Sequence, residues 1–485
     1  MPLLTQGLPE DLKTLHILGI CGTAMGAIAG MLKDAGYAVT GSDTGVYPPM
    51  SDYLAALGIP VMEGFVASNL DYGPDLVIVG NVMRATYEES VAVVERDLNY
   101  CSFPYILGEL FLEQARSIVC AGTHGKTTTT AITAWLADAA GLDPGYLVGG
   151  IVLGWDRTAR AGAGSHFVIE GDEYDTAFFD KKPKFLHYRA NTAILTSVEF
   201  DHADIYRDLE HCQEAFRELV AQLPEEGLLI ARWDHPAVRE VCGEAACAVE
   251  GYGPGQLWDG RVESVDHDKG TMTFSVLRDG QVWGTFESGL VGEHNLYNQV
   301  AAVAALAREG LTAAQLAPGF LSFQGIKRRQ QVRGTVGGVT IVDDFAHHPT
   351  AVKVTTEALR LRFGGRRLWV VFEPRSNTSR RKVFQQVYAT SFADADQVIV
   401  KATYDTRIDE AERFDPHQLA ADLRARGYEA SCMDEVDDIV DTVAANAMEG
   451  DVVAIYSNGG FEGIHDKLAA ALGRRFGLPL PGTGA

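Results

Sequence analysis

The chain has 485 residues, of which 46% are apolar and 22% charged. At about 150 residues per domain, that length predicts roughly three domains with enough buried surface to fold without disulfides or a structural metal. With Lys+Arg at 41 and Asp+Glu at 65, the formal charge of −24 excludes a nonspecific nucleic-acid binder or a protein drawn to anionic membrane, and any anionic ligand must be held by local cations.

The first predicted unit is LHILGI, then Gly22, then a helix from about Met25. Met25, Ile28, Ala29 and Leu32 fall at i, i+3, i+4 and i+7, and Gly36 suits the helix end. The strand candidate DLVIVG follows. A second unit is SIVCAG, then THGK, then a helix in which Ile132, Trp135, Leu136 and Ala139 repeat the spacing. HFVIEG, TAILTS and GLLIA are further strands. TMTFSVL and QVWGTFE flank Arg278-Asp279-Gly280, which predicts a small antiparallel insert, since Asp-Gly is a strong hairpin signal. VTIVDD, LWVVFE and QVIVK come next, and DVVAIYS with Gly459-Gly460 opens a third strand–turn–helix unit through His465 to Leu472. Strands alternating with helices predict an α/β fold of parallel sheets covered by helices. Boundaries are predicted near Gln114 and Gln331, giving segments 1–114, 115–331 and 332–485, and the tail GLPLPGTGA is expected to fray.

Seven cysteines, at 21, 101, 120, 212, 242, 247 and 432, show no two-residue spacer, which argues against a zinc ribbon or a disulfide framework. The N-terminal stretch has no basic start followed by an apolar core, and no apolar run reaches the ~18 residues of a membrane span. The expectation is a cytoplasmic protein with no membrane partner.

AGTHGKTTTT, residues 121–130, carries the strongest chemical signal. A Gly-rich turn between strand and helix aims backbone N–H groups at one point, and the helix start adds positive potential. Gly122, Thr123, His124 and Gly125 form the predicted cradle. Lys126 reaches β- and γ-phosphates, and Thr127 or Thr128 ligates Mg²⁺. The spacing departs from the generic loop, because Cys120 stands where a glycine is expected. GICGTAMG (19–26) is a second Gly-rich turn, with Asp43 placed 21 residues after Gly22, near where a dinucleotide fold puts its ribose acid. Alone it equally fits a plain strand-to-helix turn or a weak NAD site, and an NAD-dependent oxidoreductase is the alternative of another class. Two such turns predict two phosphorylated ligands.

LHILGICGTAMG with GSD, AGTHGKTTTT, VIEGDEYD, EFDHADIY, GEHNLYNQVAA, GIKRRQQVRG and DDFAHHPT occur in this order. The series resembles the Mur ligase family of ATP-dependent amide-bond enzymes in peptidoglycan synthesis. The resemblance implies an N-terminal Rossmann-like UDP-sugar domain, a central P-loop ATPase domain and a C-terminal Rossmann-like domain for the incoming amine. It also implies ATP and Mg²⁺ as cofactors. Members that add L-alanine to UDP-N-acetylmuramate share GEHN, KRR and HHPT. DEYDTAFFDKKPKFLHYRANTAIL, VFEPRSNTSRRKVFQ and SNGGFEGIHDKL instead resemble the branch that adds the tripeptide L-Ala-γ-D-Glu-meso-diaminopimelate, which is the preferred expectation.

The reaction so implied phosphorylates the lactyl carboxylate of UDP-N-acetylmuramate, after which the tripeptide amine attacks the acyl phosphate. By resemblance, Glu170 and His202 are metal ligands and Asn295 meets adenine, against helix capping as the plain alternative. Arg328 contacts phosphate across a domain boundary, and Asp343 and His347 face the cleft. Gly22, Thr23, Ala24, Met25 and Gly26 hold the UDP diphosphate with Ser42 and Asp43 nearby, and Asn81 and Arg84 face the UDP-sugar. Arg217 stands where several relatives carry a carbamylated lysine, so no carbamate is expected. Arg375 and Arg380 match peptide carboxylates, because a guanidinium pairs bidentately with them. Asn458 with Gly459-Gly460 forms another anion-binding turn. Lys181, Lys182 and Lys184 are either a rim cluster near the nucleotide or a solvated loop, and Asp172, Glu173 and Asp175 are expected to be mostly solvated or to support the metal ligands from behind.

Overall fold

The computed structural model describes residues 7–48, 50–203, 205–404 and 407–478, so most of the predicted frayed tail lies outside the described residues. Three large sheets follow one another along the chain, beside a two-stranded ribbon of Asp175–Ala177 and Asp180–Pro183.

The first sheet is parallel, in the order Val61–Glu63, Ala38–Asp43, Thr14–Leu18, Leu76–Val79, Tyr100–Ser102. Strand order reverses between Thr14–Leu18 and Leu76–Val79, and ligands of open α/β sheets bind beyond the strand ends at such a point. Helix Thr23–Asp34 starts there with Gly22 as its cap. The helix begins two residues before the predicted Met25, because Gly22 has extended backbone and the chain turns helical at once.

The second sheet has ten strands. At its centre the P-loop strand Arg116–Ala121 pairs in parallel with Thr192–Leu195 on one side and His166–Gly171 on the other. The interiors of all three strands, Ile118–Ala121, Phe167–Ile169 and Thr192–Leu195, are buried and largely apolar, as strands covered on both faces must be. Both neighbours end beside the loop that leaves Ala121, so the acids after Gly171 and the polar run after Leu195 are brought to the loop. Trp258–Asp266, Thr271–Arg278 and Gln281–Ser288 continue the sheet antiparallel. The insert thus has one more strand than the predicted hairpin. Its turn at Asp279 and Gly280 has φ of 51° and 73°, as the Asp-Gly pair foretold.

The third sheet runs Gln331–Val336, Val339–Asp344, Val452–Tyr456, Leu368–Phe372, Gln397–Lys401, Glu429–Met433, with only the first strand antiparallel. Asp343, Asp344, Glu373 and Ser457 therefore gather at one end of adjacent strands. Helix Pro349–Phe363 has Pro at its start, where a missing N–H costs nothing, and the His348 side chain accepts the Thr350 N–H as its cap. Every one of the strand candidates from DLVIVG to DVVAIYS forms a strand. No helix among the described residues is long and apolar enough to cross a membrane.

Candidate active site

Helix Lys126–Ala139 leaves the P-loop with Gly125 in the left-handed region at φ 81°. Gly122 has φ 128°, and a Cβ there would lie 2.2 Å from Thr196 Oγ1. A Cβ on Gly125 would meet Asn298 Oδ1 at 2.7 Å. Both positions therefore require glycine, for conformation and for space. The loop is pinned from the neighbouring strand end. Thr123 N donates to Ser197 O at 3.0 Å, and His124 N to Ser197 Oγ at 2.9 Å. Thr123 Oγ1 donates to Glu199 O at 3.2 Å. Thr128 is buried in the first helical turn.

Lys126 Nζ donates to Thr123 O at 3.1 Å and lies 3.0 Å from Glu173 Oε2. Burial works against its charge, but Glu173, Asp172 and Glu170 outweigh burial and push its pKa above that of a free lysine. Thr127 Oγ1 donates to Glu170 Oε1 at 2.8 Å, and Gly149 N donates to the other oxygen at 2.7 Å. Burial raises the Glu170 pKa above the usual carboxylate range, although Lys126 and Thr127 pull the other way. A hydroxyl and a carboxylate at the start of the phosphate-binding helix are the hard oxygen donors that suit Mg²⁺, and the glycine cradle suits phosphate.

His202, with φ 53°, is bonded to Glu173 rather than to Glu170, at 3.1 Å from Oε1. Burial opposes its protonation, but the Glu173 bond and charge dominate and raise its pKa. The expected metal set of Thr127, Glu170 and His202 thus divides into a Thr127–Glu170 pair and a His202–Glu173 pair. Glu173 is one of the acids expected to be solvated or to support the ligands from behind, and it takes the second of these places. It is 3% exposed and joins Lys126 to His202. Its position three residues after Glu170, just past a buried strand, was the available signal. Lys184 is likewise no rim residue: it is buried and paired with Asp172, which carries it beneath the acids. Lys181 does form a solvated pair, with Asp175 at 2.9 Å.

The third domain meets this site directly. Thr378 Oγ1 donates to Asp201 Oδ1 at 2.7 Å, and Thr350 Oγ1 donates to Glu199 Oε2 at 2.7 Å. Burial favours a protonated Asp201, yet His202, His348, His347 and the Thr378 hydroxyl hold its pKa below the carboxylate range. His347 Nδ1 is 3.0 Å from Phe345 O. Burial lowers its pKa, so the imidazole is neutral at pH 7.

Arg328 points into the third domain. It donates to the carbonyls of Ser457 and Gly459, the latter at 2.7 Å, and its Nε is 3.6 Å from Asp343 Oδ1. The expected phosphate contact is replaced in this arrangement by these carbonyls. Asp343 is 2% exposed and also lies 3.2 Å from His465 Nε2 and 3.7 Å from Arg333. Asn458 Oδ1 is buried without a protein partner. Arg375 is exposed and packs its guanidinium against Gly459, where a Cβ would lie 2.2 Å from Nη1. Arg380 donates to Ser376 O at 3.3 Å and Asn377 Oδ1 at 3.1 Å, holding its own loop.

Asn295 sits inside helix Glu293–Arg308, whose cap is Gly292, so the capping alternative does not apply. Its side-chain nitrogen donates to Val291 O at 3.0 Å within a buried setting. In the first domain Gly22, Thr23 and Ala24 are exposed at the helix start, and Asn81 and Arg84 are exposed past the strand across the switch point. Asp43 accepts from Cys21 N and Gly45 N, both at 2.9 Å, and so shapes the turn. Met25 and Gly26 are buried in the helix, with Gly26 tight against Met50. Ser42 differs from expectation most: it is fully buried and donates to Glu89, which also bonds the buried His16.

The three sheets coincide with three family matches. "Mur ligase family, catalytic domain" matches residues 14–114, "Mur ligase middle domain" residues 120–306, and "Mur ligase, glutamate ligase domain" residues 328–459. The chain belongs to the Mur ligase family, and it is an ATP- and Mg²⁺-dependent enzyme that forms amide bonds. It is 39% identical over 463 residues to the UDP-N-acetylmuramate–L-alanyl-γ-D-glutamyl-meso-2,6-diaminoheptandioate ligase of Escherichia coli K12, covering 95% of this chain and 98% of that one. A crystal structure of a murein peptide ligase from Psychrobacter arcticus 273-4 is similar at 33% identity and a TM-score of 0.67, over 95% of this chain and 98% of that chain. The UDP-N-acetylmuramate–L-alanine ligase of Alkaliphilus metalliredigens is 32% identical over 399 residues, 82% of this chain and 84% of its own.

Proposed function

We propose that this enzyme joins UDP-N-acetylmuramate to the tripeptide L-Ala-γ-D-Glu-meso-diaminopimelate, with ATP activating the lactyl carboxylate as an acyl phosphate. One observation carries the choice of acceptor. A ligase named for that tripeptide is 39% identical over 95% of the chain, whereas L-alanine ligases reach 32% over 94% of it and 33% over 88%. The UDP-sugar lies at the switch point of the first sheet, where Gly22, Thr23, Ala24, Asn81 and Arg84 are exposed. The reaction takes place in the cytoplasm, where all three substrates are anionic and soluble.

Catalysis rests on positioning and charge neutralisation around the transferring phosphoryl group. Lys126 leaves Glu173 and pairs with phosphate oxygens. Thr127 and Glu170 are the residues that would hold Mg²⁺, which supplies further neutralisation of the phosphate charge. Glu173 keeps His202 oriented beside the same oxygens. The acceptor amine must lose a proton before it attacks. His347 is suited to take that proton. Phe345 O can only accept a hydrogen bond, so Nδ1 carries the hydrogen and Nε2 has the free lone pair. Arg375, beside the Asn458–Gly459 turn that Arg328 grips, takes an acceptor carboxylate.

Phosphate release from ATP in the presence of UDP-N-acetylmuramate tests this reading, with L-alanine and the tripeptide compared as acceptors. Higher kcat/KM with the tripeptide is expected. Faster turnover with free L-alanine would overturn the assignment.

A further inference from the structure

One cluster at the domain junction has no part in the chemistry above. His124 leaves the P-loop, Glu199 follows the neighbouring strand, and His348 caps the third-domain helix. One ligand atom from each lies within 4.8 Å of the others. His124 Nε2 is 3.5 Å from Glu199 Oε2, and His348 Nδ1 is 3.9 Å from the same oxygen. The two imidazole rings stand 4.6 Å apart. His124 Nε2 and His348 Nε2 are buried atoms without a hydrogen-bond partner, and the His348 side chain is only 4% exposed. An unpaired buried nitrogen is costly, so His124 Nε2 beside the Glu199 carboxylate calls for a partner, while His348 Nδ1, the nitrogen facing that carboxylate, accepts only the Thr350 N–H at 3.3 Å.

We propose that His124, Glu199 and His348 form a transition-metal site of the zinc class, separate from the Thr127–Glu170 pair and completed only when the third domain meets the middle one. Two imidazoles and one carboxylate are a donor set that zinc-class ions favour, whereas Mg²⁺ prefers oxygen alone. A tetrahedral ion with bonds of about 2.1 Å holds its ligand atoms about 3.4 Å apart, so the His124–Glu199 spacing already fits, while His348 Nδ1 must move closer and exchange the Thr350 N–H for the ion. The charge states suit binding. The neighbouring groups hold Glu199 ionised, with its pKa at about 2 against the effect of burial, and burial keeps His348 neutral, with its pKa at about 3. Thr350 Oγ1, bonded to Glu199 Oε2, orients the carboxylate as outer partners of metal ligands do. His124 and Glu199 remain 21% and 27% exposed, which leaves a route from solvent. Because the ligands come from both sides of the junction, an ion bound here clamps the third domain onto the P-loop.

The test is titration of Co²⁺ alone into the full-length protein in excess Mg²⁺, without substrates, read by visible d–d absorption and by calorimetry. One Co²⁺ per chain is expected at micromolar concentration, with absorption typical of low coordination number. His348→Ala and Glu199→Gln should each weaken it at least tenfold, while Glu170→Gln leaves it intact. Circular dichroism checks that each variant is folded, and His124→Gln replaces any that is not. Equal Co²⁺ affinity in wild type and in the folded variants, loss of the signal in Glu170→Gln alone, or no binding below about 100 µM would overturn the proposal.

Discussion

Lys126 and Glu173 form a buried ion pair at 3.0 Å, and the same carboxylate bonds His202. One acid thereby holds the lysine of the Gly-rich loop and His202 together. In the proposed reaction this answers the charge problem of a chain at −24: Lys126 is held against internal acids until phosphate takes their place.

Removing that acid should therefore destabilise the free enzyme. Glu173→Ala leaves Lys126 and His202 without their shared counter-charge, and breaking a buried pair in this way costs about 3 kcal/mol. Calorimetry of the ligand-free protein should show a lower Tm, and ATP should restore part of the loss. An unchanged Tm would mean that Asp172 and Glu170 suffice.

Lys126→Ala acts on the reaction itself. Loss of one preorganised cation at a transferring phosphoryl group costs about 10³-fold in kcat. Steady-state phosphate release with saturating substrates measures it, and retention of activity within tenfold would refute the role given to Lys126.

His294 predicts a pH effect on stability. Burial, with Arg329 and Arg232 nearby, lowers its pKa to about 4 from an unfolded value of 6.5. Between those values the unfolded chain binds a proton that the folded chain refuses. Stability thus falls as pH drops from 6.5 towards 4, by up to about 1.4 kcal/mol per pH unit from this residue. Urea unfolding of wild type and His294→Gln across that range should show a shallower slope in the variant.

Arg375→Ala separates acceptor binding from nucleotide binding. A charge-assisted hydrogen bond contributes about 1.5–3 kcal/mol, so the tripeptide KM should rise roughly ten- to a hundredfold. The KM for ATP should stay within about twofold. Parallel rises in both would place Arg375 in the fold rather than at the acceptor.

The sequence made the strand–turn–helix units legible because each rests on local pattern: apolar runs of strand length, glycines with positive φ, apolar residues at helical spacing. Lys126, Thr127 and Glu170 were legible for the same reason, being tied to one turn or one strand end. What escaped depends on neighbours distant in the chain. Ser42 reads as a loop residue beside Asp43, but Glu89 lies 47 residues on and draws it into the interior. Glu173 looked like one acid among several until Lys126 and His202, from two other segments, closed on it. Arg328 was expected at phosphate, and only the Ser457–Gly459 turn, about 130 residues away, shows where its guanidinium goes in this arrangement.

The linker that carries Arg328 has a mechanical meaning. Arg328 and Gln330 both have left-handed backbone, at φ 61° and 48°, in residues that carry side chains. Each such residue stores on the order of 1 kcal/mol or more. The bend between the middle and third domains therefore carries a backbone cost, which Arg328 on the Ser457 and Gly459 carbonyls and Gln330 N on Asp344 at 2.7 Å offset. Losing those few bonds leaves the backbone cost of the bend without the contacts that offset it.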